Sequence, residues 1–124
     1  MRFCKFFSVG MVIILLTLSG CAGKHNIPEE WMQLVAIKYD AAWINGYKHN
    51  SHKAAANGFR EVLEMAPAFA EAHYNLGIAL AHQSKWNEAL SEFDYALAIS
   101  PNFQMALEAQ GLARGVVDGT RKST

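Results

Sequence analysis

The chain has 124 residues, with 11 lysines and arginines against 11 aspartates and glutamates. That balance excludes recruitment of nucleic acid or of an anionic surface by bulk charge. The length allows one small domain of simple fold.

Arg2 and Lys5 open the chain, and an uncharged apolar block runs from Phe6 to Leu18. As a helix this block reaches about 20 Å, short of the roughly 30 Å of a bilayer core. A basic start, an apolar centre and the small residues Ser19 and Gly20 have the form of a secretory signal, and Cys21 stands at its border. Leu18-Ser19-Gly20-Cys21 resembles the lipobox of bacterial lipoproteins. The resemblance implies a diacylglycerol on the Cys21 sulfur, cleavage just before it and acylation of the new amino terminus. A thiol suits this role because its thiolate is strongly nucleophilic. The partner implied for Cys21 is a lipid bilayer. Ala22, at the position that sorts such lipoproteins, resembles the outer-membrane case, with the domain facing the periplasm. An uncleaved signal anchor with a chance cysteine is the alternative. A disulfide would need Cys4, which leaves with the signal, and a metal finds no second sulfur ligand.

Residues 1–20 are therefore expected as signal peptide and 21–29 as lipidated cysteine and tether. Ala22 to Pro28 spans at most roughly 25 Å. Without Arg2 and Lys5, nine cationic side chains remain against eleven acids. A helical domain is expected over 30–117 and a flexible tail over 118–124.

The first helix is expected over about Glu30 to Lys48, with Trp31, Leu34, Val35, Ile37, Ala41 and Ile44 marking it as amphipathic. A second follows over about His52 to Ala66. The stretch from His52 then aligns with the stretch from Trp86 at a period of 34. Ala55 meets Ala89, Phe59 meets Phe93, Leu63 meets Leu97 and Pro67 meets Pro101. This pattern resembles the tetratricopeptide repeat, a helix-turn-helix unit of that length.

Leu76-Gly77 falls in the first helix of the full repeat, Ala70 to Phe103, where glycine lets the second helix approach. Ala89 is expected to face Gly77, and Leu90, Phe93 and Leu97 to fill the seam. Ser84 is a candidate N-cap for the helix from Trp86, and Pro101 stops that helix. His73 and Leu80 depart from the family pattern, where a large apolar residue and an aromatic are common. Upstream, Trp43 stands one period before Gly77, so the first helix must be displaced outward or shifted in register. Downstream, "NFQMALEAQGLARGVV" supplies a last helix over 103–117, with Gly111 one period after Gly77. The expected fold is all-α: five helices, two hairpins and a cap, about two and a half repeats.

The last helix carries two apolar stripes. Met105, Ala109, Leu112 and Val116 form one, and Ala106, Ala113 and Val117 the other. The second is expected to lie uncovered and to offer a homodimer edge.

The resemblance implies a concave face lined by the first helices of successive repeats. Ile37, Asp40, Ala41, Ile44 and Tyr47 would show there from the first helix. Glu71, Tyr74, Asn75, Ile78 and His82 would follow from the third, and Met105, Glu108, Ala109 and Leu112 from the last. Tyrosine suits a peptide groove through its large apolar area and polar tip. Some members of the family clamp a partner's C-terminal carboxylate with cations and amides. Asn75 matches one such position, but Asp40, Met105 and Ala109 do not, which disfavours an acidic tail as ligand.

Catalytic chemistry finds no constellation. His73 and His82 lie nine residues apart, half a turn out of phase on one helix. His49 and His52 would need further ligands, and His25 is in the tether. Ser84, Ser91 and Ser100 lack a base at useful spacing, and Glu61 and Glu64 read as a solvated pair. No metal, cofactor, nucleic acid or enzymatic activity is expected. The leading expectation is a membrane-anchored adaptor that binds a peptide or helix of another envelope protein, aiding assembly of a pilus or secretion complex or holding a cell-wall enzyme. The alternative is a structural subunit that self-associates through its terminal helix.

Overall fold

The computed structural model describes residues 28–122, with side chains described to residue 119. The signal, Cys21 and most of the tether lie outside the described residues. Five helices follow in order: α1 Glu29–Tyr47, α2 His52–Met65, α3 Ala70–Ala81, α4 Trp86–Ile99 and α5 Gln104–Lys122. Each packs on the next in sequence, and α3 also touches α1 and α5. The result is an all-α stack of two helical hairpins closed by a single helix. Among the described residues no helix is long and apolar enough to cross a membrane.

Helix ends follow the turn chemistry. Pro67 and Pro101 lie just past α2 and α4, where their missing N–H and fixed φ oppose another helical turn. Ser84 does not cap α4. It adopts φ 59°, and the Ser84 and Lys85 N–H groups bond to the carbonyls of Ala81 and Leu80 at 2.9 and 3.0 Å. That turn closes α3 and spends the serine on a left-handed position, so Lys85 precedes α4 without a side-chain cap. Asn50 takes the same role between α1 and α2, at φ 51°.

The core joins all five helices. Phe93, Leu80 and Val62 are its largest fully buried side chains. Gly77 is what admits Phe93. A Cβ added at residue 77 would stand 2.5 Å from the Phe93 Cε1 and 2.8 Å from its Cδ1. The partner of Gly77 is thus the Phe93 ring and not Ala89, which lies fully buried in the same cluster. The reason is reach: the ring extends across the seam, whereas a methyl group does not. Tyr74 on α3 meets the rings of Phe93 and Phe103 at 6.0 and 5.2 Å, tying α3 to the start of α5.

The first hairpin solves the same problem in another register. A Cβ on Gly58 would lie 2.7 Å from the Ala42 Cβ, so here the glycine is on the second helix and the small residue on the first. Ala42 occupies the close approach, and Trp43, turned about 100° further round the helix, points outward and is 43% exposed. The expected register shift is what the helix adopts. It also removes most of the expected inward face. Val35 and Ala42 are the buried residues of α1, while Leu34, Ile37 and Ile44 are exposed.

Two further expectations change at the C-terminal end. Helix α5 runs to Lys122, past the tail boundary expected after Val117. Its two stripes are reversed: Ala106, Ala113 and Val117 are buried, and Met105, Leu112 and Val116 are exposed. Small residues let α5 lie close on α4, and the polar Gln110 reaches across to Asp94 Oδ1 at 2.5 Å. His73, one of the two residues expected to depart from the repeat pattern, is satisfied where it stands: Nδ1 lies 2.7 Å from Glu92 Oε2 on α4 and Nε2 lies 3.0 Å from the Pro67 carbonyl.

Gly77→Leu should force the buried Phe93 ring out of its seat. The expected loss of stability is about 1–3 kcal/mol or more, read as a lower urea midpoint of the full chain. An unchanged midpoint would contradict this seating of α3 on α4.

Candidate functional site

One concavity opens where α1, α2 and α3 meet, with a volume of about 210 Å³. Its bottom is formed by Phe59, Ala55 and Ala79, all buried core residues. Trp43 and Tyr47 stand along its α1 side with rings 4.8 Å apart and nearly parallel at 17°. They are one turn apart on the helix, the spacing that brings side chains together. Tyr47 is 76% exposed, a large aromatic surface left to solvent on a small protein.

Opposite, α3 contributes Tyr74, Asn75, Ile78 and His82. The Asn75 amide is already committed. Its Nδ2 donates to the Tyr39 hydroxyl at 2.6 Å and to the Glu71 carbonyl at 2.9 Å. That bond bridges α1 and α3 at the edge of the pocket. Tyr39 itself is held between Phe59, edge-on at 5.5 Å, and Phe69, stacked at 5.0 Å. Burial raises the Tyr39 pKa, and the Glu71 and Asp40 carboxylates raise it further against the opposing bond from Asn75. The phenol is therefore neutral near pH 7, and both carboxylates act on this corner of the groove.

The end of the pocket is closed by two histidines. The His52 and His82 rings stack at 4.1 Å, within 5° of parallel. The Gln83 amide, from the residue after His82, donates to the His52 carbonyl at 3.2 Å, fixing α2 against the end of α3. Burial lowers the His52 pKa, and the neighbouring His82 lowers it further.

The expected groove residues divide into groups. Tyr74, Asn75, Ile78 and His82 come together at the pocket. Asp40 and Glu71 lie exposed on the helices beside it. Tyr74 is largely occupied by internal ring contacts. Ile44, Met105, Glu108 and Leu112 do not line the pocket; Glu108 accepts a hydrogen bond from Gln104 on its own helix at 2.9 Å. Sequence reading missed Trp43, Gly46, Tyr39 and His52 as site residues. Trp43 carried a usable signal, since a tryptophan that cannot occupy the glycine register must face elsewhere. His52 carried none, because its stacking on His82 joins positions 30 residues apart. Among the described residues no three histidines, cysteines or carboxylates come together as a metal site.

Lowered in the fold, the His52 pKa makes protonation a cost to the native state. The unfolded chain then binds more protons just below pH 6.5, so stability should be complete above that value and fall as pH drops through it. Thermal melts at about pH 7.5 and pH 5.5 should show a smaller acid-induced drop for His52→Asn than for the unaltered chain. Equal drops would remove the histidine pair from the account.

No curated protein matches the chain. Residues 46–102, from the end of α1 to just past α4, match the family model described as Tetratricopeptide repeat. Such repeats are typically non-catalytic scaffolds for binding other proteins. Over that segment the chain is similar to the tetratricopeptide repeat, and its helices form the hairpin stack that the repeat builds.

Proposed function

We propose that this protein is a membrane-anchored adaptor of the bacterial envelope, tethered through a lipid on Cys21 and binding a segment of a partner protein in the groove between α1 and α3. The observation that carries the binding part is the pocket. Trp43 and Tyr47 are stacked and exposed beside a rigid floor of core residues. Rigid aromatic side chains of this kind offer contact area at low entropic cost. The membrane part rests on Leu18-Ser19-Gly20-Cys21 after a short apolar block. With Ala22 next to the anchor, the reading is an outer-membrane lipoprotein with its helices in the periplasm. The short tether keeps the domain at the lipid surface, where it would aid assembly of a pilus or secretion complex or hold a cell-wall enzyme.

Crosslinking in cells tests both parts. Cys21→Ala should leave a longer, unprocessed chain without lipid. Tyr47→Ala, which removes a side chain that is 76% exposed, should be processed and folded normally but lose the captured partner. Normal processing of the first variant, or full capture by the second, would refute the corresponding part.

A second reading is favoured by α5. Met105, Leu107, Leu112 and Val116 are all at least a third exposed, Leu112 at 74%. A Cβ added at Gly111, Gly115 or Gly119 would meet nothing within 4 Å. Met105, Leu112 and Val116 share one face of the helix, with Leu107 turned well away from it, and that exposed apolar stripe suits packing of a second helix, as in a self-associating structural subunit. Ala113 is buried against the stack and is no test of this surface. Leu112→Lys should convert a dimer to a monomer in sedimentation, whereas a wild-type chain that sediments as a monomer would exclude self-association.

A further inference from the structure

The groove pocket has walls of one chemistry and surroundings of another. Its inner surface is aromatic and aliphatic apart from the Asn75 amide and the two histidines at one end. The charged groups that act on the adjoining corner are Asp40 and Glu71, both negative. Four of the six lysines and arginines with described side chains are turned to other partners, while Lys48 and Lys53 lie exposed next to Tyr47 and His52. Lys38 pairs with Glu61, Arg60 and Lys85 with Glu88, and Arg114 with Asp94. Among the described residues no lysine or arginine lines the pocket. A guest that satisfies both features must be flat, compatible with aromatic faces, and cationic.

We infer that the pocket between α1, α2 and α3 takes an arginine side chain from a basic segment of the partner, with the guanidinium against the Trp43–Tyr47 stack and near Asp40 and Glu71. The inference rests on the adaptor reading and names the chemistry of its ligand. Size agrees. A cavity of about 150 Å³ accommodates a benzene ring, and this pocket offers about 210 Å³ to a group no larger than that ring. Drug-sized ligands need roughly 300 Å³ or more. Arginine fits better than lysine because its planar, weakly hydrated head stacks on aromatic rings, whereas an ammonium keeps its water. Asn75 supplies orientation: its two amide bonds use Nδ2, which leaves the carbonyl oxygen as an acceptor at the pocket wall.

The histidine pair gives the site a pH dependence with a definite sign. Asp40, Trp43 and Tyr47 face this region from α1, His52 faces it from α2, and Glu71, Tyr74 and His82 face it from α3. Lys48 and Lys53, next in sequence to Tyr47 and His52, are exposed. Protonation of His52, stacked on His82 at the pocket end, therefore adds positive charge where a cationic guest would sit. Arginine binding must weaken as pH falls.

The experiment is an NMR titration of the full chain in detergent micelles, following the Trp43 indole N–H, identified by its loss in Trp43→Phe. The probes are N-acetyl-arginine amide, N-acetyl-phenylalanine amide and N-acetyl-glutamate amide. The arginine probe should saturate with a Kd on the order of millimolar. It should bind about threefold or more weaker at about pH 5.5 than at about pH 7.5, and weaker by a similar factor in Asp40→Asn/Glu71→Gln at the higher pH. The phenylalanine probe should bind more weakly, and the glutamate probe should not shift the indole. A phenylalanine probe that binds as tightly as arginine, arginine binding indifferent to pH and to the carboxylates, or no saturation by arginine would overturn the proposal. The two readings fail separately. If arginine does not bind but Tyr47→Ala still loses its cellular partner, the arginine site is wrong and the adaptor groove stands. If arginine binds as described but Tyr47→Ala keeps its partner, the pocket chemistry stands and the groove is not where the partner docks.

Discussion

A phenylalanine ring occupies the space where residue 77 would carry a side chain, and most of the architecture depends on that contact. Phe93 at 1% exposure is wedged against the bare backbone of Gly77. Truncating such a ring costs about 3–5 kcal/mol, a large share of the stability of a small domain. The same ring fixes Tyr74, which in turn meets Phe103. The position of α3, the wall of the pocket and the docking of α5 are therefore consequences of one close approach.

The first hairpin shows that the close approach matters more than the residue pattern that makes it. Ala42 and Gly58 reproduce it with the glycine on the opposite helix. The cost is a rotated α1, with apolar side chains that face solvent. The gain is that Trp43 and Tyr47 are presented together on the groove side. At the equivalent seam of the second hairpin, His73 and Glu92 form a bridge between helices. In the first hairpin the corresponding positions are Tyr39 and Gly58, and the polar link instead runs from Tyr39 to Asn75 on the next repeat. The hairpins are alike in helix geometry and differ in how polar groups are satisfied.

Much of this was legible in the sequence because it is periodic. The spacing of Phe59 and Phe93, Pro67 and Pro101, and the apolar positions between them located the helices to within a few residues. The match ended where partners are distant or where register is set by a single glycine. Gly58 looked like an ordinary residue in "AAANGFREV", and nothing local says that Ala42 will lie against it. The apolar residues of α5 were visible, but their burial depends on which stripe fits against α4. Small side chains turned inward there, the reverse of a choice made on hydrophobicity alone. Of the site, Tyr74, Asn75, Ile78 and His82 followed from the repeat, while Trp43 and His52 required the rotation of α1 and the turn before α2.

The three glycines of α5, spaced four apart at 111, 115 and 119 with open space beside each, also bear on how the fold breathes. Each weakens a solvent-facing helix by about 1 kcal/mol relative to alanine, and among the described helices α5 packs on α3 and α4 alone. The distal half of that helix is then held chiefly by Ala113 and Val117 against the stack. Local opening should begin there and travel back toward Phe103, well before the seams at Gly58 and Gly77 separate. Amide protons along this end would exchange with solvent at rates set by fraying, while those of α3 would exchange only when the whole stack comes apart. The last helix is a latch whose grip is graded along its length, firmest beside the aromatic cluster and loosest at its tip.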